Sequence, residues 1–76
     1  MNRGYEALRR TLGGNVRRLR RERKLSQEAL AFEAEIDRTY VSQIERGVIN
    51  PSLLVLWKVA SALGASVLAL LEPPKV

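Results

Sequence analysis

Apolar residues recur along this chain at spacings of three and four, and that rhythm predicts five helices and no strands. Tyr5, Leu8, Leu12, Val16 and Leu19 fall on one face of a helix expected over about 5–23. Gly13 and Gly14 lie inside that helix, and each costs about 1 kcal/mol relative to Ala. A break near 11–15 therefore stands beside a continuous helix, and it would leave the first ten residues as a separate arm or extra turn. A fourth helix is expected after the Asn50-Pro51 turn, capped by Ser52 and ended by Gly64. Leu53, Leu56, Trp57, Ala60 and Leu63 make its expected inward stripe, with Trp57 in the core. A short fifth helix runs from Ser66 to about Leu71, where Pro73 and Pro74 stop it.

Between these lies the most informative stretch, LSQEALAFEAEIDRTYVSQIERG, from Leu25 to Gly47. Ser26 is an N-cap that places Gln27 at the first position of a second helix, and Asp37 caps a third helix that Gly47 ends. Glu35 and Ile36 form the turn between them. Ala31 is small where the two helices should approach, and Leu30 and Ile36 point into their shared core. At 3.6 residues per turn, Val41 and Ile44 fall together and face inward. Opposite them sit Thr39, Ser42, Gln43 and Arg46, with Arg38 and Tyr40 on the margins. A solvated helix would show Glu and Lys there. These side chains instead suit guanine, adenine and thymine-methyl edges in a major groove, which predicts sequence-specific duplex DNA binding. Glu45, off that stripe, is expected to hold an arginine of the first helix.

The segments LGGNVRRLRRERKLSQEALA, IDRTYVSQIERG and INPSLLVLWKVASALG resemble the XRE family, the Cro and phage-repressor type of helix-turn-helix protein, over about 12–71. The DRTYVSQIERG and NPSL pair is also similar to small controller proteins of restriction-modification systems. The resemblance implies an all-α, five-helix phage-repressor-like domain with its third helix in the major groove and its C-terminal helices in a homodimer. Carried onto this chain, it implies that Gln27 contacts backbone or a base edge and that Arg38, Thr39, Ser42 and Gln43 read bases. Tyr40 and Arg46 would meet phosphate or flanking bases, and Asn50 and Ser52 would approach the DNA backbone. The family often has glycine at the turn where this chain has Glu35, and a left-handed backbone there is costly for a side chain.

Composition narrows the chemistry. With no histidine and no cysteine, the usual general base, zinc ligands, thiol nucleophile and disulfides are all missing, so no enzyme activity and no cofactor are expected. Seventy-six residues make one domain, 1–76, with the helix-turn-helix unit at about 26–46 and no room for a ligand-sensing domain. A domain this small buries only about 60% of its unfolded surface, so dimerisation would help it. No apolar run is long enough for a bilayer, and MNRGYEALRR lacks a signal-peptide core, so a cytoplasmic, nucleoid-associated bacterial or phage protein is expected.

The net charge is +5, concentrated at one end: Arg3, Arg9, Arg10, Arg17, Arg18, Arg20, Arg21, Arg23 and Lys24 face only Glu6 and Glu22 over residues 1–24. Phosphate contact with counterion release, and a solvated face paired to Glu22, Glu28, Glu33 or Glu45, are both open for these arginines. SVLALLEPPKV packs Val67, Leu68, Leu70 and Leu71 into under two turns, more than one face of a small domain buries. Val67, Leu68 and Leu71, with Leu54 and Val55, are therefore assigned to a dimer surface at about 54–71; packing within one chain against the first helix is the other reading. The expected function is a transcriptional regulator that binds a near-palindromic operator as a homodimer and controls its own operon. A small acidic patch of Glu33, Glu35 and Glu45 is a candidate contact for RNA polymerase. An antitoxin that binds a toxin as well as DNA is the alternative, for which the tail from Glu72 to Val76 is short.

Overall fold

The computed structural model describes residues 3–74; Met1, Asn2, Lys75 and Val76 lie outside it, and with them the extremes of the N-terminal segment and of the Glu72–Val76 tail. Five helices follow one another, α1 (Arg3–Glu22), α2 (Gln27–Ala34), α3 (Arg38–Arg46), α4 (Leu53–Leu63) and α5 (Val67–Leu71), and the described residues contain no strand. Each later helix is opened by the residue its sequence offers. Ser26, Ser52 and Ser66 Oγ accept from the amides of Ala29, Val55 and Ala69 at 3.0, 3.1 and 3.0 Å, and Asp37 Oδ1 accepts from Thr39 N–H at 2.8 Å. Each such cap is worth about 1 kcal/mol.

All five helices supply the core. Leu12 and Val16 of α1 meet Leu30, Ala31 and Ala34 of α2, Val41 and Ile44 of α3, Val59, Ala60 and Leu63 of α4, and Leu70 of α5. The exit of α2 turns through Glu35 at φ 58°, ψ 46°, with the Ile36 amide donating to Ala31 O at 3.0 Å. A glutamate thus occupies the left-handed position expected of it, at a backbone cost of about 1–2 kcal/mol. Lys24, between α1 and α2, also has a positive φ, 58°, and no sequence signal announced it.

Of the two readings of α1, the continuous helix is the one that forms, with no break near 11–15. A Cβ on Gly13 would sit 2.5 Å from the Glu45 carbonyl oxygen and 2.6 Å from that of Ile44. Gly13 is therefore the point where the last turn of α3 lies against α1, and its missing side chain permits that approach rather than ending the helix. A Cβ on Gly14 would meet nothing within 4 Å.

The inward stripe of α4 also needs correcting. Leu53 is 74% exposed and Trp57 60%, so Trp57 is not in the core. The buried face is Val59, Ala60 and Leu63, with Val55, Leu56 and Ala62 packed at its edges. Nearly every position from Leu53 to Ala60 is apolar, so periodicity alone left the rotation of this helix undetermined. The neighbours α1, α2 and α5 select the narrower Val59–Ala60 side. The same reasoning places Tyr5 and Leu8 of the α1 stripe at its half-open rim.

One buried polar residue organises the C-terminus. Asn15, 2% exposed, donates from Nδ2 to Leu70 O at 2.8 Å and Glu72 O at 2.7 Å. These are carbonyls that the end of a helix leaves unpaired. The contact ties α5 to α1.

Candidate nucleic-acid interface

Because α2 and α3 pack through Leu30, Ala31, Val41 and Ile44, their polar sides meet at one edge. Gln27, Arg38, Thr39 and Ser42 line a shallow depression of about 220 Å³ there. Along α3, Arg38, Thr39 and Arg46 are exposed, and Ser42, Gln43 and Tyr40 are half-buried, with Tyr40 packed against the core. Asn50 and Ser52 are exposed on the loop that leaves α3, where the Ser52 hydroxyl is engaged in capping α4. Gln27, Arg38, Thr39, Ser42, Gln43 and Arg46 thus form a continuous polar surface with donors and acceptors for base edges and phosphates.

Its electrostatics depend on Glu45, the one carboxylate within α3, whose side chain is fully buried. Glu45 accepts from Arg20 Nε at 2.6 Å and Nη2 at 3.0 Å, from Gln27 Nε2 at 3.1 Å and from Arg17 Nε at 3.4 Å. Burial pushes its carboxyl up; the bidentate Arg20, Gln27 and Arg17 together outweigh burial and hold it below the usual carboxylate range. The same hydrogen bonds raise Arg20 above the usual guanidinium value, against its own burial. Arg20 is braced further by donating from Nη1 to Leu25 O at 2.9 Å. The network neutralises the negative charge behind this polar surface and holds Gln27, the first residue of α2, to the third-helix frame.

Glu45 therefore cannot join Glu33 and Glu35 in an exposed acidic patch, as the sequence reading had allowed; only the latter two are exposed. The arginines of α1 differ in their surroundings. Arg20 is structural, Arg17 shares Glu45 while staying 44% exposed, and Arg18 pairs with Glu22 at 3.4 Å. Arg3, Arg10 and Arg21 are exposed and have no ion pair among the described residues.

Of the residues assigned to a partner surface, Leu54 and Leu68 are 61% and 69% exposed, whereas Val55, Val67 and Leu71 are half-buried against the core. Leu53 and Trp57 add exposed apolar surface that the sequence reading had placed inside. Within the described residues no cluster of three or more His, Cys, Asp or Glu side chains is placed to hold a metal, and no helix is long and apolar enough to cross a membrane.

Comparison with known proteins matches residues 16–70 to the helix-turn-helix family model. An uncharacterised HTH-type transcriptional regulator, y4dJ of Sinorhizobium fredii, is 39% identical over 66 residues, covering 87% of this chain and 86% of the relative. Among solved structures, the restriction-modification controller protein C.AhdI of Aeromonas hydrophila superposes with a TM-score of 0.81 at 42% identity, over 84% of this chain and 97% of its own. The biofilm regulator SinR in complex with DNA superposes with a TM-score of 0.77 at 37% identity, over 80% and 98%. These relatives are transcription regulators and not enzymes. With its caps, its two-helix unit and its polar third-helix face, the chain belongs to the XRE-type helix-turn-helix family of DNA-binding transcriptional regulators.

Proposed function

We propose that this regulator binds a near-palindromic operator as a homodimer and controls its own operon. The observation that carries the reading is the exposed face of α3, where Arg38, Thr39, Ser42, Gln43 and Arg46 meet solvent beside Gln27 while the helix's only carboxylate is buried and paired. In this reading α3 enters the major groove, Arg38, Thr39, Ser42 and Gln43 read base edges, and Gln27, Tyr40, Arg46, Asn50 and Ser52 fix the register on phosphates and flanking bases. The whole chain acts as one domain, and its place of action is the bacterial or phage genome in the cytoplasm.

Dimerisation rests on the apolar surface of α4 and α5. Leu54 and Leu68 stand in solvent, and Val55, Val67 and Leu71 border them. A two-fold pair would present its α3 helices about 34 Å apart, one turn of duplex, which sets the half-site spacing. The likeness to controller proteins of the same size supports control of a small operon. Repression follows where the operator overlaps the promoter. Activation follows where the bound dimer meets RNA polymerase, for which Glu33 and Glu35 are the acidic side chains left exposed.

The test is a salt series of binding isotherms on duplex from upstream of the gene. Arg46→Ala should weaken every sequence alike and reduce the slope of log K against log salt by about one. Gln43→Ala should instead erode the preference for the operator over random duplex. An unchanged slope and an unchanged preference in both variants would remove α3 as the reading helix.

A further inference from the structure

The first two turns of α1, residues 3–10, lie ahead of the stretch matched by the family model. They are nonetheless built into the end of the DNA-facing surface. The Tyr5 hydroxyl donates to Asn50 Oδ1, and Arg9 Nη1 reaches the same oxygen at 3.5 Å. The Arg9 guanidinium lies over the Tyr5 ring, 5.1 Å from its centroid, and Arg9 Nε is enclosed with no hydrogen-bond partner among the described residues. Asn50 itself is exposed, three residues past Gly47, on the loop that leaves α3. Gly47 packs against the α1 backbone at Arg9 and Arg10, so loop and helix are in register.

This arrangement fixes the polarity of an amide that is otherwise free to flip. A guanidinium only donates, so the atom of Asn50 that faces Arg9 must be its oxygen, and the Tyr5 hydroxyl must donate to it as well. The NH₂ group is then the other branch of the amide, on an exposed side chain, and has no hydrogen-bond partner among the described residues. Two N–H donors held outward at the end of a reading helix suit a phosphodiester oxygen and are blind to base sequence.

We infer that Tyr5 and Arg9 are positioning residues that lock the Asn50 amide with its NH₂ group toward the DNA backbone, making the start of α1 part of the phosphate-binding surface. The inference rests on α3 being the reading helix. Its consequence is that removing Tyr5 costs affinity only through Asn50, without touching base preference.

A double-mutant cycle tests this, using the full chain, thermal melting, and binding to the upstream duplex and to random duplex. Tyr5→Phe and Asn50→Ala should each lose affinity for both duplexes, by about tenfold for Asn50→Ala, the worth of one phosphate hydrogen bond. Tyr5→Phe should add nothing in the Asn50→Ala background. Asn50→Asp keeps acceptors for Tyr5 and Arg9 but turns an acceptor outward. It should melt at or above the wild-type temperature and bind at least ten times more weakly. Additive losses in the cycle, or Asn50→Asp binding like wild type, would overturn the assignment and leave the operator reading standing. A loss of binding that tracks a loss of melting temperature in Tyr5→Phe would make the contact structural and also overturn it. A wild-type chain that ignores both duplexes would instead remove the operator reading beneath it.

Discussion

Substituting Gly13 by Ala should destabilise this protein even though alanine is the better helix former, and the adjacent Gly14→Ala should do the reverse. At Gly13 the new methyl would lie 2.5 and 2.6 Å from the carbonyl oxygens of Glu45 and Ile44. Carbon-to-oxygen contacts settle at about 3.3 Å, so the end of α3 must retreat from α1 by roughly 0.8 Å. Both obstructing atoms are backbone and cannot rotate aside, which puts the overpacking cost near the upper end of the usual 1–3 kcal/mol range. The gain in helix propensity returns about 1 kcal/mol. The net loss is roughly 2 kcal/mol, or about 8–16 °C in melting temperature for a domain of this size. At Gly14 the methyl meets open space, so only the propensity gain remains, about 0.5–1 kcal/mol. Circular dichroism melts of the three proteins at one fixed concentration separate these outcomes, the concentration being held because any self-association would couple to melting. Gly13→Ala melting at or above the wild-type temperature would refute the close approach as the reason for glycine there.

Glu45→Gln leaves Arg20 buried without its counter-charge and should cost about 3 kcal/mol in urea unfolding, along with a weakened hold on Gln27. Because the Glu45 carboxyl is held below its ordinary range, its contribution is complete above about pH 4.3 and lost as the pH falls below that value toward the folded pKa. Unfolding midpoints across pH 3–8 should show an acid limb that Glu45→Gln flattens, with little change from pH 5 to 8, where this chain has no histidine to titrate. Glu35→Gly removes a side chain from a left-handed position and should raise stability by about 0.5–1 kcal/mol, read as a higher urea midpoint. Leu54→Asp combined with Leu68→Asp changes two exposed residues and should give a folded monomer by sedimentation, with the helical circular dichroism signal retained; a dimer that persists would move the partner surface elsewhere.

Much of this architecture was legible because the chain marks its own boundaries. Ser26, Asp37 and Ser52 open helices and Gly47 and Gly64 close them where the sequence places them, and Ser66, read as the start of the fifth helix, is its N-cap. Spacing assigned Val41 and Ile44 to the core because they are the only aliphatic residues on a polar helix, so the phase is unambiguous. The same rule failed on α4, where apolar residues surround the axis and only tertiary neighbours pick the buried side, leaving Trp57 outside. Gly13 was misread as a weak point because a glycine that ends a helix and a glycine that admits another backbone look alike in one dimension. Asn15 and the Tyr5–Arg9–Asn50 cluster were missed since their partners lie more than forty residues away. Glu45 was found, as the one carboxylate on a helix otherwise suited to DNA, although its bidentate grip on Arg20 and its bond to Gln27 required the fold.

The most direct test of operator-specific binding by a dimer is a gel-shift titration of the purified protein on DNA from upstream of its own gene, repeated at several salt concentrations with excess random duplex. Discrete complexes should survive the competitor, weaken steeply with salt and protect two half-sites about one helical turn apart. Loss of every complex to the random competitor at all salt concentrations would contradict operator-specific binding.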